Sequence, residues 1–293
     1  MTVINNRRIQ ASMRTRMHLG NALFLLPAVI LFGFVVLAPF IQGIPYSFTN
    51  WKGIVSTNRS FNGITNYKYL LGNKYFLQSL EVTFHFTLEY MLLSNLVGFG
   101  LALLIHKGTL FNNIARTIFF LPFTISVAAG AIVWKYLYSD LWSTLFNSVS
   151  PLVMASTIVP SMAVMASWRD MGYTMLIYIA ALQTVPVDYY EAATVEGANG
   201  WQQFWHITIP MIVPAFTTNF TLLLSWGLRT FDLSINVSAN LAAGQTTAYY
   251  VYMSIFQNSK AGLGQAAAII LTVILIVLTQ ILTRVLRRLE VEA

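Results

Sequence analysis

Six apolar runs, each long enough to cross a bilayer, constrain this chain more than any other feature. They fall at about 20–41, 78–106, 113–138, 155–183, 209–231 and 263–286, and a helical crossing needs about 20 largely apolar residues. In hydrocarbon no water is available to backbone N–H and C=O groups, so runs of this length span as helices. Composition agrees: of 293 residues 56% are hydrophobic and 9% charged, where a soluble domain has about 25% charged. The expected fold class is an all-α integral membrane protein with six transmembrane helices, multi-pass in the inner (cytoplasmic) cell membrane.

The charges orient these spans. Arg7, Arg8, Arg14 and Arg16 precede the first run, and no small-residue cleavage site follows it, so it reads as a retained span with the N-terminus in the cytoplasm. The cytoplasmic segments then hold nine basic residues (those four with Lys107, Arg116, Arg284, Arg287 and Arg288), and the outer loops five (Lys52, Arg59, Lys68, Lys74 and Lys260). The bias follows the positive-inside rule and places both termini in the cytoplasm. Topology thus accounts for the net charge of +7 without nucleic acid. The expected organisation is a cytoplasmic tail over 1–19, one transmembrane domain over 20–289 with a cytoplasmic loop at 184–210, and a short tail over 290–293.

Several chemistries are excluded. There is no cysteine, and His18, His85, His106 and His206 have no metal-ligand spacing, so no metal site is expected. No Gly-x-x-x-x-Gly-Lys-Ser/Thr phosphate loop, nucleophile elbow or His-Glu-x-x-His helix occurs, so the chain is expected to be non-catalytic and to bind no cofactor. Aromatic, Asn and Gly residues in the outer loops, Trp51, Tyr67, Tyr69 and Trp142 among them, fit interfacial belts and solvated turns.

Polar residues inside the spans carry the remaining information, because a charge at the bilayer centre costs about 2.5–3.5 kcal/mol even on insertion scales. Trp168, Arg169, Asp170 and Tyr173 fall near the middle of the fourth run. Arg169 and Tyr173 can share a face, as can Asp170 and Tyr173, whereas Arg169 and Asp170 point about 100° apart. They either pair with neighbouring helices or line a wet pathway in which an aromatic ring stacks on a ligand. In the second run Glu81, His85 and Glu89 form one stripe. The first two fit the outer interface, and Glu89, deeper and followed by Asn95, is a pathway candidate. Arg229, near the end of the fifth run, can snorkel outward. Gly262, Gly264 and Ala266 to Ala268 suit close helix packing.

One polar interruption stands apart, from Asp188-Tyr189-Tyr190-Glu191-Ala192-Ala193 through Gly197 to Ile207-Thr208-Ile209-Pro210. Pro186 stops the preceding helix, Asp188 and Glu191 have capping-box spacing, and Gly197 is a natural helix end. Read locally, it is a short surface helix between spans. The order Glu191-Ala192-Ala193, Gly197, Ile207, Pro210 nevertheless resembles the mark of ABC importer membrane subunits, with Ile209 where the family usually has Leu. Arg116-Thr117-Ile118-Phe119-Phe120-Leu121-Pro122, Ile125-Ser126, Gly130 and Trp134 are similar to the third span of maltose-type sugar permeases.

That resemblance covers nearly the whole chain and implies the type I importer permease fold. It implies that Asp188, Glu191, Ala192, Ala193, Gly197, Ile207 and Pro210 form the coupling loop that docks into an ATPase subunit. It implies a second permease, a paralogue, two ATPase subunits carrying ATP and Mg, an extracytoplasmic solute-binding protein for which the outer loops with Trp51, Tyr67, Tyr69 and Trp142 form a docking surface, a sugar or oligosaccharide substrate, and transport by alternating access. It places substrate contacts around Trp168, Arg169, Asp170 and Tyr173 and again at Trp226, Arg229 and Thr230, although relatives mostly have Gly or a small residue near Asp170. Two other readings fit the residues: a permease for a peptide, polyamine or other polar solute, and an ion-coupled carrier whose uptake would survive ATP depletion and fail without a proton gradient.

Overall fold

The computed structural model describes residues 21, 23–53, 59–238 and 241–290. The expected tail with Arg7, Arg8, Arg14 and Arg16, and residues 291–293, lie outside the described residues. Helices make up nearly all of it. Four are long and apolar enough to cross a membrane: α1 (Leu23–Tyr46), α3 (Lys74–Ile105), α8 (Gly200–Leu228) and α11 (Ala261–Arg287). Between α1 and α3 lies the short α2 (Thr65–Gly72). A fifth candidate span is broken: α4 (Leu110–Thr124) and α5 (Val127–Phe146) meet at 97°, where the sequence predicted one straight helix over 113–138.

The break has a local cause. Pro122 lies in a tightened last turn, Ile125 is extended (φ −80°, ψ 138°), and the Ser126 hydroxyl caps α5 by accepting the Ala129 N–H at 3.2 Å. Other starts are capped likewise, α3 by Asn73 accepting from the Phe76 N–H and α4 by Thr109 accepting from the Asn112 N–H. Arg116 of α4 closes the other end of α3, donating to the carbonyls of Ile105, His106 and Lys107 that no helical turn can satisfy.

The fourth predicted run is α6 (Ile158–Thr184), 27 residues long but absent from the apolar set because Ser161, Ser167, Arg169, Asp170 and Thr174 interrupt it. It is the central helix, packed against α3 on one side and α8 on another. Small and hydroxyl side chains let the helices approach closely, as small residues do in membrane bundles. A Cβ on Gly98 of α3 would overlap the Thr174 side chain, and one on Gly227 of α8 would press on Thr87. Hydrogen bonds join the same helices: Ser94 Oγ to Ser167 Oγ at 3.1 Å, Thr174 Oγ1 to the Ser94 carbonyl at 3.1 Å, and Asn219 Nδ2 to the Thr174 carbonyl at 3.2 Å. Apolar packing around Phe86, Met162 and Leu223, and around Met175, Tyr178 and Ala102, fills the rest.

The remaining helices are short: α7 (Val187–Val195), α9 (Asp232–Val237) and α10 (Thr247–Tyr252). Beyond α10 the chain enters α11, which packs on α8 and α10 and receives the end of α1. The most apolar stretch of α1 is 0% buried by the rest of the chain.

Candidate functional site

Two places gather the residues singled out from the sequence, one near the middle of the bundle and one at the end where α6 finishes.

At mid-bundle, α6 brings Arg169 and Asp170 to a cavity of about 320 Å³ with Trp168, and the end of α8 brings Trp226, Arg229 and Thr230 to the same space. Arg169 and Asp170 were expected to point apart. The long guanidinium instead folds back, and its Nη1 donates to Asp170 Oδ1 at 2.8 Å. The other carboxylate oxygen, Oδ2, accepts from the Tyr90 hydroxyl at 2.5 Å. Asp170 is 3% exposed, and burial of a carboxylate requires partners of this kind. Arg169 Nε donates to the Ile125 carbonyl at 3.3 Å, a group freed by the break between α4 and α5. Its guanidinium also lies 5.2 Å from the Phe123 ring centre, a cation–π distance.

Tyr173 does not line the cavity but joins its aromatic wall. Its ring stacks on Phe123 at 4.9 Å and meets Trp226 at 5.4 Å. Trp168 packs edge-on against Trp134 at 5.8 Å. Glu89 is not among the lining residues; one position on, and so 100° round the helix, Tyr90 is. Arg229 is exposed, with Nε donating to the Ser225 carbonyl at 2.9 Å. Sequence reasoning missed Tyr90, Phe123 and Asp232. Asp232, three residues after Arg229 and at the start of α9, could have been found from that spacing. Tyr90 and Phe123 had no signal in one sequence, since buried aromatic residues at helical spacing usually denote packing. The arrangement offers aromatic faces, donors and acceptors in a half-open recess, the chemistry of a polar ligand with apolar faces.

At the other place, the predicted loop over 184–210 is mostly helix. The expected cap by Asp188 is not formed: Pro186 is the N-cap of α7, without a side-chain bond, and Asp188 sits inside the first turn, where its charge faces the positive end of the helix dipole. The capping box belongs to α8, where Asn199 Oδ1 accepts from the Gln202 N–H and Gln202 Oε1 from the Asn199 N–H. Gly197 ends α7 as expected. With φ at +82° it lets its own N–H reach the Thr194 carbonyl and the Ala198 N–H reach the Ala193 carbonyl at 2.9 Å, the Schellman pattern. Ile207 and Pro210 lie inside α8. A wide turn over Phe204–Thr208 precedes Pro210, which has no N–H to offer a regular helical bond.

Tyr190 OH bonds Thr208 Oγ1 at 2.9 Å, and Gln203 Nε2 donates to Thr194 Oγ1 at 2.9 Å, so α7 is pinned to α8. Between them a recess of about 360 Å³ includes Ala193, Gly197 and Ile207. Asp188, Glu191 and Ala192 are exposed. Around them Tyr189, Val195 and Trp201 expose apolar surface, Val195 to 87%. Among the described residues no hydrogen bond or ion pair engages the Glu191 side chain.

A central helix with a buried charged residue, flanked by helices long and apolar enough to cross a membrane and followed by a short exposed helix, fits a membrane transport subunit. The chain belongs to the family described as the binding-protein-dependent transport system inner membrane component, whose model matches residues 94–291. It is thus a non-catalytic ABC transporter subunit and a multi-pass membrane protein. It is 33% identical to the probable starch degradation products transport system permease protein AmyD of Thermoanaerobacterium thermosulfurigenes, over 92% of this chain and 94% of that one. Identity is 28% to the arabinooligosaccharides transport system permease protein AraP of Bacillus subtilis (strain 168), over 88% of this chain and 84% of that one. In fold it matches a chain of a bacterial ABC transporter involved in import of the acidic polysaccharide alginate, with TM-score 0.80 and 22% identity over 96% of this chain and 99% of that one. A further match, at TM-score 0.78 and 21% identity over 94% and 96%, is to the alginate transporter in complex with its pentasaccharide-bound periplasmic protein.

Proposed function

We propose that this chain is one of two permease subunits of an importer for a sugar or oligosaccharide. The observation that carries the reading is the mid-bundle cavity. Trp168 and Trp226 offer faces for sugar rings, and Arg169, Arg229 and Thr230 offer donors and acceptors for hydroxyls, with Asp170 holding Arg169 in place and Tyr173 backing the wall. Relatives named for starch products and arabinooligosaccharides support the substrate class. The fold neighbour solved with a periplasmic protein supports delivery by a solute-binding protein.

In this reading six helices cross the membrane, α6 and the α4–α5 pair among them, with both termini on the ATPase side. The exposed helix α7 with Asp188, Glu191, Ala192 and Ala193, the turn at Gly197, and Ile207 and Pro210 of α8 dock on an ATPase subunit that carries ATP and Mg. Closure of the ATPase pair pulls α7, and α8 is pinned to it, so the bundle rocks against the second permease, a paralogue, and the cavity opens outward. An ion-coupled mechanism is less well supported, because both oxygens of Asp170 are already engaged within the chain.

The test is to purify the chain with its co-purifying subunits, reconstitute it, and measure ATPase stimulation by solute-binding proteins loaded with a panel of saccharides. Stimulation by a saccharide-loaded protein, lost in Glu191→Ala, is expected. Transport that survives ATP depletion but collapses with the proton gradient would overturn the reading.

A further inference from the structure

Four charged side chains line the mid-bundle cavity, the cations Arg169 and Arg229 and the anions Asp170 and Asp232, and they are not equally free. Arg169 and Asp170 hold each other, and both Asp170 oxygens are taken. Arg229 and Asp232 are exposed, and among the described residues neither is ion-paired. Arg229 donates to the Ser225 carbonyl through Nε, which leaves the Nη groups of its fork open. The Asp232 carboxylate has no hydrogen bond among the described residues. It is the open acceptor of the lining.

The segment that carries it is fixed. Asp232 opens α9, beside buried Leu233 and Ser234. Thr246 Oγ1 donates to the Thr230 carbonyl at 2.7 Å. Ser234 Oγ donates to the Gly244 carbonyl at 2.9 Å and accepts from the Thr246 N–H at 3.1 Å, and both side chains are 0% exposed.

The open charges set a rule on what can enter. A hydroxyl both donates and accepts, so a sugar can give a proton to Asp232 and take one from the Arg229 fork. An ionised acid group only accepts. At Asp232 it meets acceptor against acceptor and like charge against like, and a lining of two cations and two anions offers no surplus cation to offset the loss of its water. An amine, conversely, meets two guanidinium groups.

We infer that Asp232 determines specificity in this cavity: it accepts hydroxyl protons from an uncharged saccharide and keeps acidic saccharides out. This role rests on the import reading above. The test is equilibrium dialysis of the purified assembly, without a binding protein, against neutral di- to tetrasaccharides of glucose, arabinose, xylose and galactose. Each is set beside its uronate and its amino-sugar counterpart. The wild type should bind a neutral member about tenfold tighter than its uronate. In Asp232→Asn, which keeps the shape and an acceptor but loses the charge, the gap should close to about threefold or less, chiefly through tighter uronate binding. Asp232→Glu should keep the wild-type preference.

A preference left unchanged in Asp232→Asn, or a wild type that binds uronates or amino sugars as tightly as neutral members, would overturn this role and leave sugar import standing. Loss of every ligand in both Asp232→Asn and Asp232→Glu would make Asp232 a support of the fold and overturn it as well. A wild type that binds no member of any series would bring down the import reading and this role together.

Discussion

Asp170 and Glu191 carry the same chemical group on successive helices, and the chain treats them in opposite ways. Asp170 is enclosed, with one oxygen on Arg169 and the other on Tyr90. Glu191 is exposed, and its carboxylate is bonded to nothing among the described residues. Where the fold itself satisfies a charge, removing the charge damages the fold. Where it leaves a charge open on a rigid helix, the structural cost of removal is small and the loss falls on whatever docks there.

The largest expected effect on stability is at Asp170→Ala. Breaking a buried ion pair by removing one partner costs about 3–5 kcal/mol, and the quarter-exposed Arg169 puts this case at the lower end. The midpoint of thermal unfolding of the purified assembly should fall by several degrees, and an unchanged midpoint would show the pair to be dispensable. Next comes Gly172→Ala in α6, where a Cβ would overlap the backbone of Phe119 and Phe120. Overpacking of this kind costs about 1–3 kcal/mol, and because the clash is with the end of α4 it should also weaken substrate-stimulated ATPase activity.

Gly197→Ala tests a different cause, since nothing crowds that position and only its φ of +82° opposes a side chain. A left-handed residue costs about 1–2 kcal/mol, paid locally, so proteolysis in the turn between α7 and α8 should speed up while the global midpoint barely moves. Glu191→Ala should change stability by less than about 0.5 kcal/mol and yet release the ATPase subunits in a pull-down. If it unfolds the protein instead, the contrast with Asp170 is wrong.

The same contrast explains how far the sequence could be read. The four long apolar helices and their order were legible because apolar length dictates them, and so was the turn at Gly197, because one glycine at a helix end has a local meaning. The Asp188 cap failed because Pro186 occupies the position first, and the capping signal belonged to Asn199 and Gln202. The angle between α4 and α5 was hidden in Pro122 and Ser126, whose effect depends on the turn they share. Least legible was the Tyr90 bond to Asp170, which joins residues 80 apart in sequence, and no periodicity points across such a distance. It also decides which residue of α3 faces the cavity.

The bare length of α1 bears on how such a subunit lives in a cell. A helix whose most apolar stretch is 0% buried by its own chain gains no packing from the chain's own folding along that stretch, so in an unassembled copy that surface has no protein cover. Pulse–chase labelling without the other subunits should find the orphan chain short-lived, and a copy lacking α1 longer-lived, which would make subunit stoichiometry a matter of degradation as much as of synthesis.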